Sequence, residues 1–313
     1  NGDEHSARRT RLGLRAEHSS GLELRGEWDF FSGTVTDLFA EMPIGPGALR
    51  FGQQKQPFSL EEQGSSRDLV LIERSLAHDA FSTSRRVGLS WTQPLRAWQL
   101  QTSLHAGTAE QVSGVAGAAV RLTRELEPGL HVGAALAHDR RDDERVRIRA
   151  RPESRLLPFA PLDMGNFRDI SGSTKAGIEG AWIRGSWTFQ SEYFGLRTRG
   201  GQAPRGHGGY VQASWLSHER SRSLREGVVR KPKFEAGDIG WELTTRLSRV
   251  EFSADPGALG DQVQLALGAV FYLGAHWQLA AEHSRFDADR ALRLNTGGEH
   301  DGHFSSLRVQ LSF

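Results

Sequence analysis

Hydrophobic and polar residues alternate along most of this chain, and the final segment shows the pattern most clearly. One face of that segment is apolar and carries Leu307, Val309, Leu311 and Phe313. The opposite face is polar and carries Ser306, Arg308, Gln310 and Ser312. Successive side chains of a β-strand point to opposite faces, so a period of two predicts a strand with one apolar face.

The alternation recurs in segments about ten residues long, the length of a tilted strand that crosses a membrane. Short links such as Glu127-Pro128-Gly129 and Gly274-Ala275 alternate with longer polar stretches, as in barrels with short turns at one end. We count about sixteen segments, an even number as in single-chain bacterial barrels, and interpret Arg155–Lys175 as a loop with one poorly patterned strand. The predicted fold is all-β, a transmembrane antiparallel β-barrel that forms one domain over residues 1–313.

Composition narrows the alternatives to this fold. The mean hydropathy is −0.48, and the chain has no apolar run of the ~18 residues that a membrane helix needs, which excludes a helical membrane protein. A soluble β-sandwich with an aromatic core is the other fold that the pattern allows. Aromatic residues near segment ends favour the interfacial girdles of a barrel, and these are Trp28, Phe30, Trp91, Trp98, Trp187, Trp241, Trp277 and Phe313.

Charge and residue usage exclude several kinds of partner. The 39 basic and 38 acidic residues nearly cancel, which argues against a nucleic acid bound by bulk charge. Cysteine is absent, and the 12 histidines show no metal-ligand spacing, so we expect solvated histidines, no metal and no cofactor. The chain starts at Asn1 with neither methionine nor an apolar signal segment, and we expect that a leader was removed or lies outside this sequence.

An arginine-rich segment is the clearest indication of chemistry. On a strand, its apolar residues share one face and its arginines the other, and these arginines are Arg145, Arg147, Arg149 and Arg151. Residues on one face are ~6.6 Å apart, so the guanidinium groups form a ladder along which an anion can pass. Facing lipid would cost about 2 to 4 kcal/mol for each cation, so we expect these arginines in the lumen. The alternative is an extracellular extension whose arginines meet solvent or lipopolysaccharide phosphates.

Other arginines also alternate with apolar residues. Arg9 and Arg11 share a predicted lumen face, and Arg50 and Arg86 have the same kind of neighbours. For Arg8, at the beginning of the first strand, contact with lipid headgroups is an equally good interpretation. Acidic residues line the second and third strands and indicate a field across the pore rather than a uniformly positive tube, and these are Glu23, Glu27, Asp29, Asp37 and Glu41.

Residues 56–84 are too many for a hairpin link and contain the apolar run Leu69–Ile72. Long loops in compact folds are usually functional or disordered, and this one predicts a packed segment that folds into the barrel and constricts it. Arg67 and Arg74 are candidate constriction residues. Structural salt bridges to Asp68 or Glu73 are an equally good interpretation for both.

Several motifs follow one another in the order of a known family, namely Arg8–Arg11, Leu49–Glu61, Ser65–Asp68, Ile72–Ser75, Arg85–Gly88, Arg151–Glu153, Ser191–Tyr193, Gly240–Leu243 and Arg246–Ser248. On these motifs the chain resembles the phosphate-selective porin O/P family from Arg8 onward. The resemblance implies a homotrimer of barrels in the bacterial outer membrane, surrounded by lipid and lipopolysaccharide. It also implies a third loop folded into each pore and arginines that lead anions to a narrow zone. Periplasmic lysines are implied as well, but lysine occurs only at Lys55, Lys175, Lys231 and Lys233.

The sequence therefore predicts an outer-membrane porin for passive diffusion of small anions, with phosphate or polyphosphate as candidates and no chemical step. One alternative is a general porin without strong anion selectivity, and another is a barrel that acts as a structural or complex partner with its lumen plugged. A barrel hydrolase is less favoured, because no segment supplies a recognisable acid/base pair or activated serine.

Overall fold

The computed structural model describes residues 8–110, 114–142, 144–157, 160–217, 221–255, 257–290 and 298–313 of the predicted 1–313 domain, and residues 1–7 and the short gaps lie outside it. The elements in chain order are β1 (Arg11–Glu17), β2 (Glu23–Asp29), β3 (Thr34–Ile44), β4 (Gly47–Lys55), α1 (Leu60–Gln63), α2 (Leu76–Phe81), β5 (Arg85–Leu95), β6 (Trp98–His105), β7 (Val115–Glu127), β8 (Leu130–Arg141), β9 (Val146–Ala150), β10 (Leu162–Phe167), β11 (Gly172–Arg184), β12 (Trp187–Arg199), β13 (Arg205–Leu216), β14 (Ser223–Arg225), β15 (Val228–Arg230), β16 (Ile239–Ala254), β17 (Gly257–Leu273), β18 (Trp277–Arg290) and β19 (Gly298–Leu311).

Fifteen of these strands form one antiparallel sheet in sequence order, from which only β9, β10, β14 and β15 are left out. Those four make two separate hairpins, β9–β10 and β14–β15. In the described ranges β1 and β19 end the sheet without pairing to each other. The all-β barrel prediction is confirmed, and the prediction of about sixteen strands is close.

Burial alternates along the strands as predicted. On β16, Leu243 and Leu247 are exposed while Thr244 and Arg246 between them are buried. An apolar outer surface around a polar interior is the arrangement of a membrane barrel. Most of the predicted girdle residues are exposed, namely Trp28, Phe30, Trp98, Trp187, Trp241, Trp277 and Phe313. No helix in the described ranges is long and apolar enough to cross a membrane.

Connections differ between the two ends of the sheet. At one end β3–β4, β5–β6, β7–β8 and β11–β12 are joined by tight turns, and residues 217–238 with the β14–β15 hairpin are the long exception. In outer-membrane barrels the short turns face the periplasm. At the opposite end lie the long connections 56–84, here called the inward loop, and 142–171, which carries the β9–β10 hairpin.

A buried apolar cluster lies inside the barrel, on the same faces as the buried polar residues. It joins α2 and β9 to the inner face of the wall, and Phe81 of α2 packs against Phe194 and Phe252 with ring centroids 6.1 and 5.5 Å away. Burying each such side chain contributes about 1.5 to 3 kcal/mol. The inward loop and the β9–β10 hairpin are therefore attached to the inner wall by apolar packing.

This cluster corrects the predicted placement of the arginine-rich segment. Residues 146–150 do form a strand with an apolar face, but β9 pairs only with β10. Val146 and Ile148 pack into the internal cluster instead of facing lipid. The arginines at 147 and 149 therefore project from a hairpin folded inside the barrel, not from a strand of its wall.

Candidate anion-binding site

The inward loop crosses to strands that are not neighbours of β4 and β5. The carboxylate of Glu192 on β12 accepts hydrogen bonds from the backbone N–H groups of Leu60 and Glu61, at 2.7 and 2.9 Å. Glu282 on β18 accepts from the N–H of Ile72 at 2.9 Å. Acidic side chains of the lumen thus hold the loop across the interior, as its predicted packing inside the barrel requires.

Serine caps begin both short helices of this loop. Ser59 Oγ accepts from the N–H of Glu62 at 3.2 Å, and Ser75 Oγ accepts from the N–H of His78 at 3.1 Å. Serine favours the N-cap position because its side chain satisfies an N–H group that has no partner within the helix. The caps fix where α2 begins and therefore where Arg74, the residue before Ser75, is placed.

Arginines from three separate parts of the chain meet in one cavity of about 130 Å³. The cavity, here called the arginine pocket, is lined by the arginines Arg8, Arg9, Arg11, Arg74, Arg151 and Arg155. Its carboxylates are Glu73, Asp79 and Glu153. Six guanidinium groups against three carboxylates leave a positive excess among the lining residues, which the pairing of Arg11 with Asp29 reduces. Each guanidinium offers a planar fork of donors that matches an oxyanion.

Ion pairs hold the arginine pocket together without neutralising it. Arg8 and Arg9 both bond to Glu73, and the distance from Arg9 Nη2 to Glu73 Oε2 is 2.9 Å. Burial lowers the pKa of Arg9 to about 10; Glu73 opposes this change, and Arg8 and Arg74 add to it. Arg9 remains charged at neutral pH, and an arriving anion would offset part of the cost of its burial.

The arginines of the predicted ladder lie in two places. Arg151 lines the pocket, whereas Arg147 and Arg149 lie on the β9–β10 hairpin. Arg147 is exposed and bonds to Asp163, with Nε 3.2 Å from Oδ1. Arg149 and Arg151 form no ion pair with a carboxylate of the described residues. Burial, Arg151 and Arg147 lower the pKa of Arg149, and the smaller effects of Asp79 and Asp163 oppose this change. Arg145 precedes β9 and does not line the pocket.

The other predicted arginines lie apart from one another. Arg50 is paired with Glu41 at 2.6 Å and lies over the ring of Phe39 at 4.2 Å. Arg86 on β5 is close enough to Asp139 to interact electrostatically. Arg67 is exposed, and its carbonyl accepts from Gln310 at 3.4 Å, on the far side of the inward loop from Arg74.

Neither alternative salt bridge for the loop arginines forms. Arg74 donates to the carbonyls of Glu61 and Gly64, at 3.0 and 3.1 Å, and its nearest carboxylate is that of Glu62 at 3.8 Å. The partner of Asp68 is Arg230, at 3.4 Å, and not Arg67. Asp68 and Arg74 thus bond to residues farther away in the sequence and not to their charged neighbours.

The predicted acidic wall is matched by arginines on the same or on nearby strands. Arg11 bonds to Asp29 at 2.8 Å, and Arg85 bonds to Asp37 at 2.7 Å. Together with the Arg50–Glu41 pair, these contacts cancel charge within the wall. The expected field across the pore is correspondingly weaker, and the excess positive charge is concentrated at the arginine pocket.

Some residues of the site were missed by sequence reasoning. Arg155 and Glu73 line the pocket, and the fully buried Arg246 holds the two inserted segments. The position of Arg246 on the polar face of a clearly patterned strand was a usable signal. The prediction of solvated histidines is wrong for three that are buried beside carboxylates, in the pairs His78–Glu62, His105–Asp139 and His131–Glu179.

The described part of the chain contains no group of three or more histidine and acidic residues that could hold a metal ion. The guanidinium groups of the arginine pocket can recognise an anion. Such contacts can replace part of the hydration of an ion while leaving it free to move on.

Comparison with known proteins agrees with this fold. Porin O of Pseudomonas aeruginosa is 25% identical over 95% of this chain and 76% of that protein. Among solved structures, the outer membrane protein OmpT of Vibrio cholerae has a TM-score of 0.66 at 12% identity, covering 97% of this chain and 89% of that one. An anion-selective porin from Comamonas acidovorans has a TM-score of 0.52 at 16% identity, covering 98% and 89%.

These two structures share the fold of this chain. The family model described as phosphate-selective porin O and P matches residues 1–313. The chain therefore belongs to the phosphate-selective porin O and P family and is a porin of the bacterial outer membrane.

Proposed function

We propose that this porin conducts small anions by passive diffusion, with phosphate-like ions as its preferred cargo and without any chemical step. The observation that carries the proposal is the arginine pocket, where six arginines from three parts of the chain surround three carboxylates. The inward loop is its constriction, because the loop contacts β12 and β18 across the lumen.

The proposed path of the ion follows the arginines of the β9–β10 hairpin and of the arginine pocket. Arg149 and Arg151 meet an anion entering from the long-loop end, and Arg9 and Arg74 receive it at the inward loop. Each step exchanges one guanidinium fork for another, and the carboxylates of Glu73 and Asp79 prevent the excess charge from holding the ion too tightly. Binding that is moderate at several sites permits conduction, whereas one very tight site blocks it.

We further propose a homotrimer within lipid and lipopolysaccharide. The support is the family and OmpT of Vibrio cholerae, for which a trimer form has been solved. A barrel that serves as a structural partner with a plugged lumen is the competing function, because segments 56–84, 142–171 and 217–238 all contact one another or the inner wall.

Planar-bilayer recording in KCl, followed by titration with phosphate, tests the proposal. We expect open channels whose chloride current falls as phosphate is added and occupies the arginine pocket. Chloride current that phosphate leaves unchanged would instead indicate a general porin. The absence of any current from the inserted protein would favour the plugged structural partner.

A further inference from the structure

Arg246 lies on the lumen face of β16 with 1% of its side chain exposed. Its Nε donates to Glu153 Oε2 at 2.9 Å, and its Nη1 donates to Glu61 Oε1 at 3.3 Å. Its Nη2 donates to the carbonyl of Glu73 at 3.0 Å. Glu61 and Glu73 belong to the inward loop, whereas Glu153 belongs to the connection 142–171. One side chain of the wall therefore joins both inserted segments.

The two carboxylates bonded to Arg246 also hold the beginning of α2. Glu61 Oε2 accepts from the N–H and the hydroxyl of Ser75, at 3.0 and 2.8 Å. Glu153 Oε1 accepts from the N–H of Leu76 at 2.7 Å and from Ser248 Oγ at 2.6 Å. Arg246 thus supplies the cation for two buried acids at the start of one helix.

This arrangement leaves Arg246 no donor for an ion in the pore. Besides the bonds already described, Nη1 donates to Gln212 Oε1 at 3.3 Å and Nη2 donates to Glu153. A guanidinium group has five N–H donors, and each of them has a protein acceptor. Arg246 is bonded on every side by the protein and lies behind the arginine pocket rather than in it.

We propose that Arg246 is a positioning residue that sets the arrangement of the arginine pocket without binding the anion itself. Arg74 directly precedes Ser75, and Arg151 and Arg155 each lie two residues from Glu153, so the anchored carboxylates determine where these arginines stand. The proposal rests on the proposed function, because the pocket is where an anion is expected to bind.

Two variants separate positioning from anion binding. Arg246→Met leaves Glu61 and Glu153 buried without their cation, a costly state, so the two segments leave their positions. The triple variant Arg246→Met/Glu61→Gln/Glu153→Gln removes all three charges, and each glutamine keeps an oxygen that can accept from Ser75 or Leu76. Arg249→Met is the matched control, since Arg249 is on the same strand with 62% of its side chain exposed on the outer face.

Single-channel recording in KCl with added phosphate gives the readout. We expect Arg246→Met to show unstable conductance and phosphate block weakened by about tenfold or more. We expect the triple variant to keep stable conductance and to be blocked at least as strongly as the wild type, because Glu153→Gln also removes one carboxylate of the arginine pocket. Arg249→Met should behave like the wild type. Wild-type conductance and block in Arg246→Met would overturn the proposal. A triple variant with stable conductance but as little block as the single variant would also overturn it, since Arg246 would then act as an anion ligand.

The triple variant decides the question even if Arg246→Met fails to fold. Phosphate block in the triple variant supports a positioning role for Arg246, and loss of that block contradicts it. If phosphate fails to block the wild type, the proposed function fails, but the conductance of the variants in KCl alone still tests whether Arg246 holds the inserted segments.

Discussion

The guanidinium group of Arg222 donates to both carboxylate oxygens of Glu242, with Nε 2.7 Å from Oε1 and Nη2 2.9 Å from Oε2. Arg222 belongs to the long connection 217–238 at the short-turn end, and Glu242 faces the lumen on β16. The Nη1 of Arg222 also donates to the carbonyl of Asp68 at 2.6 Å. Residues 217–238 are therefore tied to both the wall and the inward loop, so the loop is held from each end of the barrel.

Replacing Arg222 with methionine tests this attachment. Glu242 would remain buried without its cation, and we expect the free energy of unfolding in detergent to fall by about 3 to 5 kcal/mol. The matched control is Arg225→Met in the same connection, since Arg225 is exposed. Equal losses of stability in the two variants would contradict a specific role for the Arg222–Glu242 pair.

Removal of Arg151 tests the arginine pocket as the anion site. Arg151 lines the pocket and has no carboxylate partner in the described ranges, so we expect Arg151→Ala to weaken phosphate block of chloride current by about tenfold or more. Arg147→Ala is its control, because Arg147 is exposed and paired with Asp163. If phosphate block of the chloride current weakens equally in the two variants, all arginines of the segment contribute alike and the arginine pocket is not a distinct anion site.

The Arg50–Glu41 pair allows charge to be changed in either direction at one place in the wall. Arg50→Gln leaves the carboxylate of Glu41 unmatched, and we expect a lower ratio of chloride to potassium permeability. Glu41→Gln leaves Arg50 unmatched, and we expect a higher ratio. Reversal potentials measured in a KCl gradient for both variants check the two signs, and a change of the same sign in both would show that this pair does not act through its charge.

Acid should release the attachment of Arg8 and Arg9 to the inward loop. Burial alone would raise the pKa of Glu73, but Arg9 and Arg8 hold it below its ordinary value of 4.5. A carboxylate with a lowered pKa in the folded state contributes stability above its unfolded pKa and loses it as the pH falls through the folded value. We therefore expect the wild type to be more thermally stable than Glu73→Gln at pH 7, where the difference has its full size. The difference should disappear as the pH falls below 4.5. A difference that is unchanged in acid would show that the charge of Glu73 is not involved.

The strands of the wall could be predicted from sequence because their pattern is local. On β17 and β18 the outward Leu265 and Leu279 alternate with the inward Gln264 and Gln278, as predicted, and the link at 274–276 joins the two strands. Lipid on one side and polar interior on the other impose a period of two that can be recognised within a few residues.

The placement of β9 could not be obtained in this way. Its apolar face fits lipid or an internal apolar cluster equally well, and period two does not identify which strand it pairs with. Val146 and Ile148 are buried by α2 and the inner wall, which are far away in sequence. The arginines of the segment were recognised, but their surroundings depend on how two long connections pack together.

Buried ion pairs were hidden for the same reason. His105 pairs with Asp139, and Arg246 pairs with Glu61 and Glu153, across large separations in sequence. Nothing in the local pattern distinguishes these side chains from solvated ones. Only the order of strands in the sheet and the path of the inserted segments bring such charges together.

The reversal potential of the wild-type channel in a KCl gradient tests the central claim most directly. The excess of arginine around the pocket predicts a reversal potential with the sign set by chloride, and addition of phosphate should reduce the current without reversing that sign. A reversal potential set by potassium would contradict anion conduction through the arginine pocket.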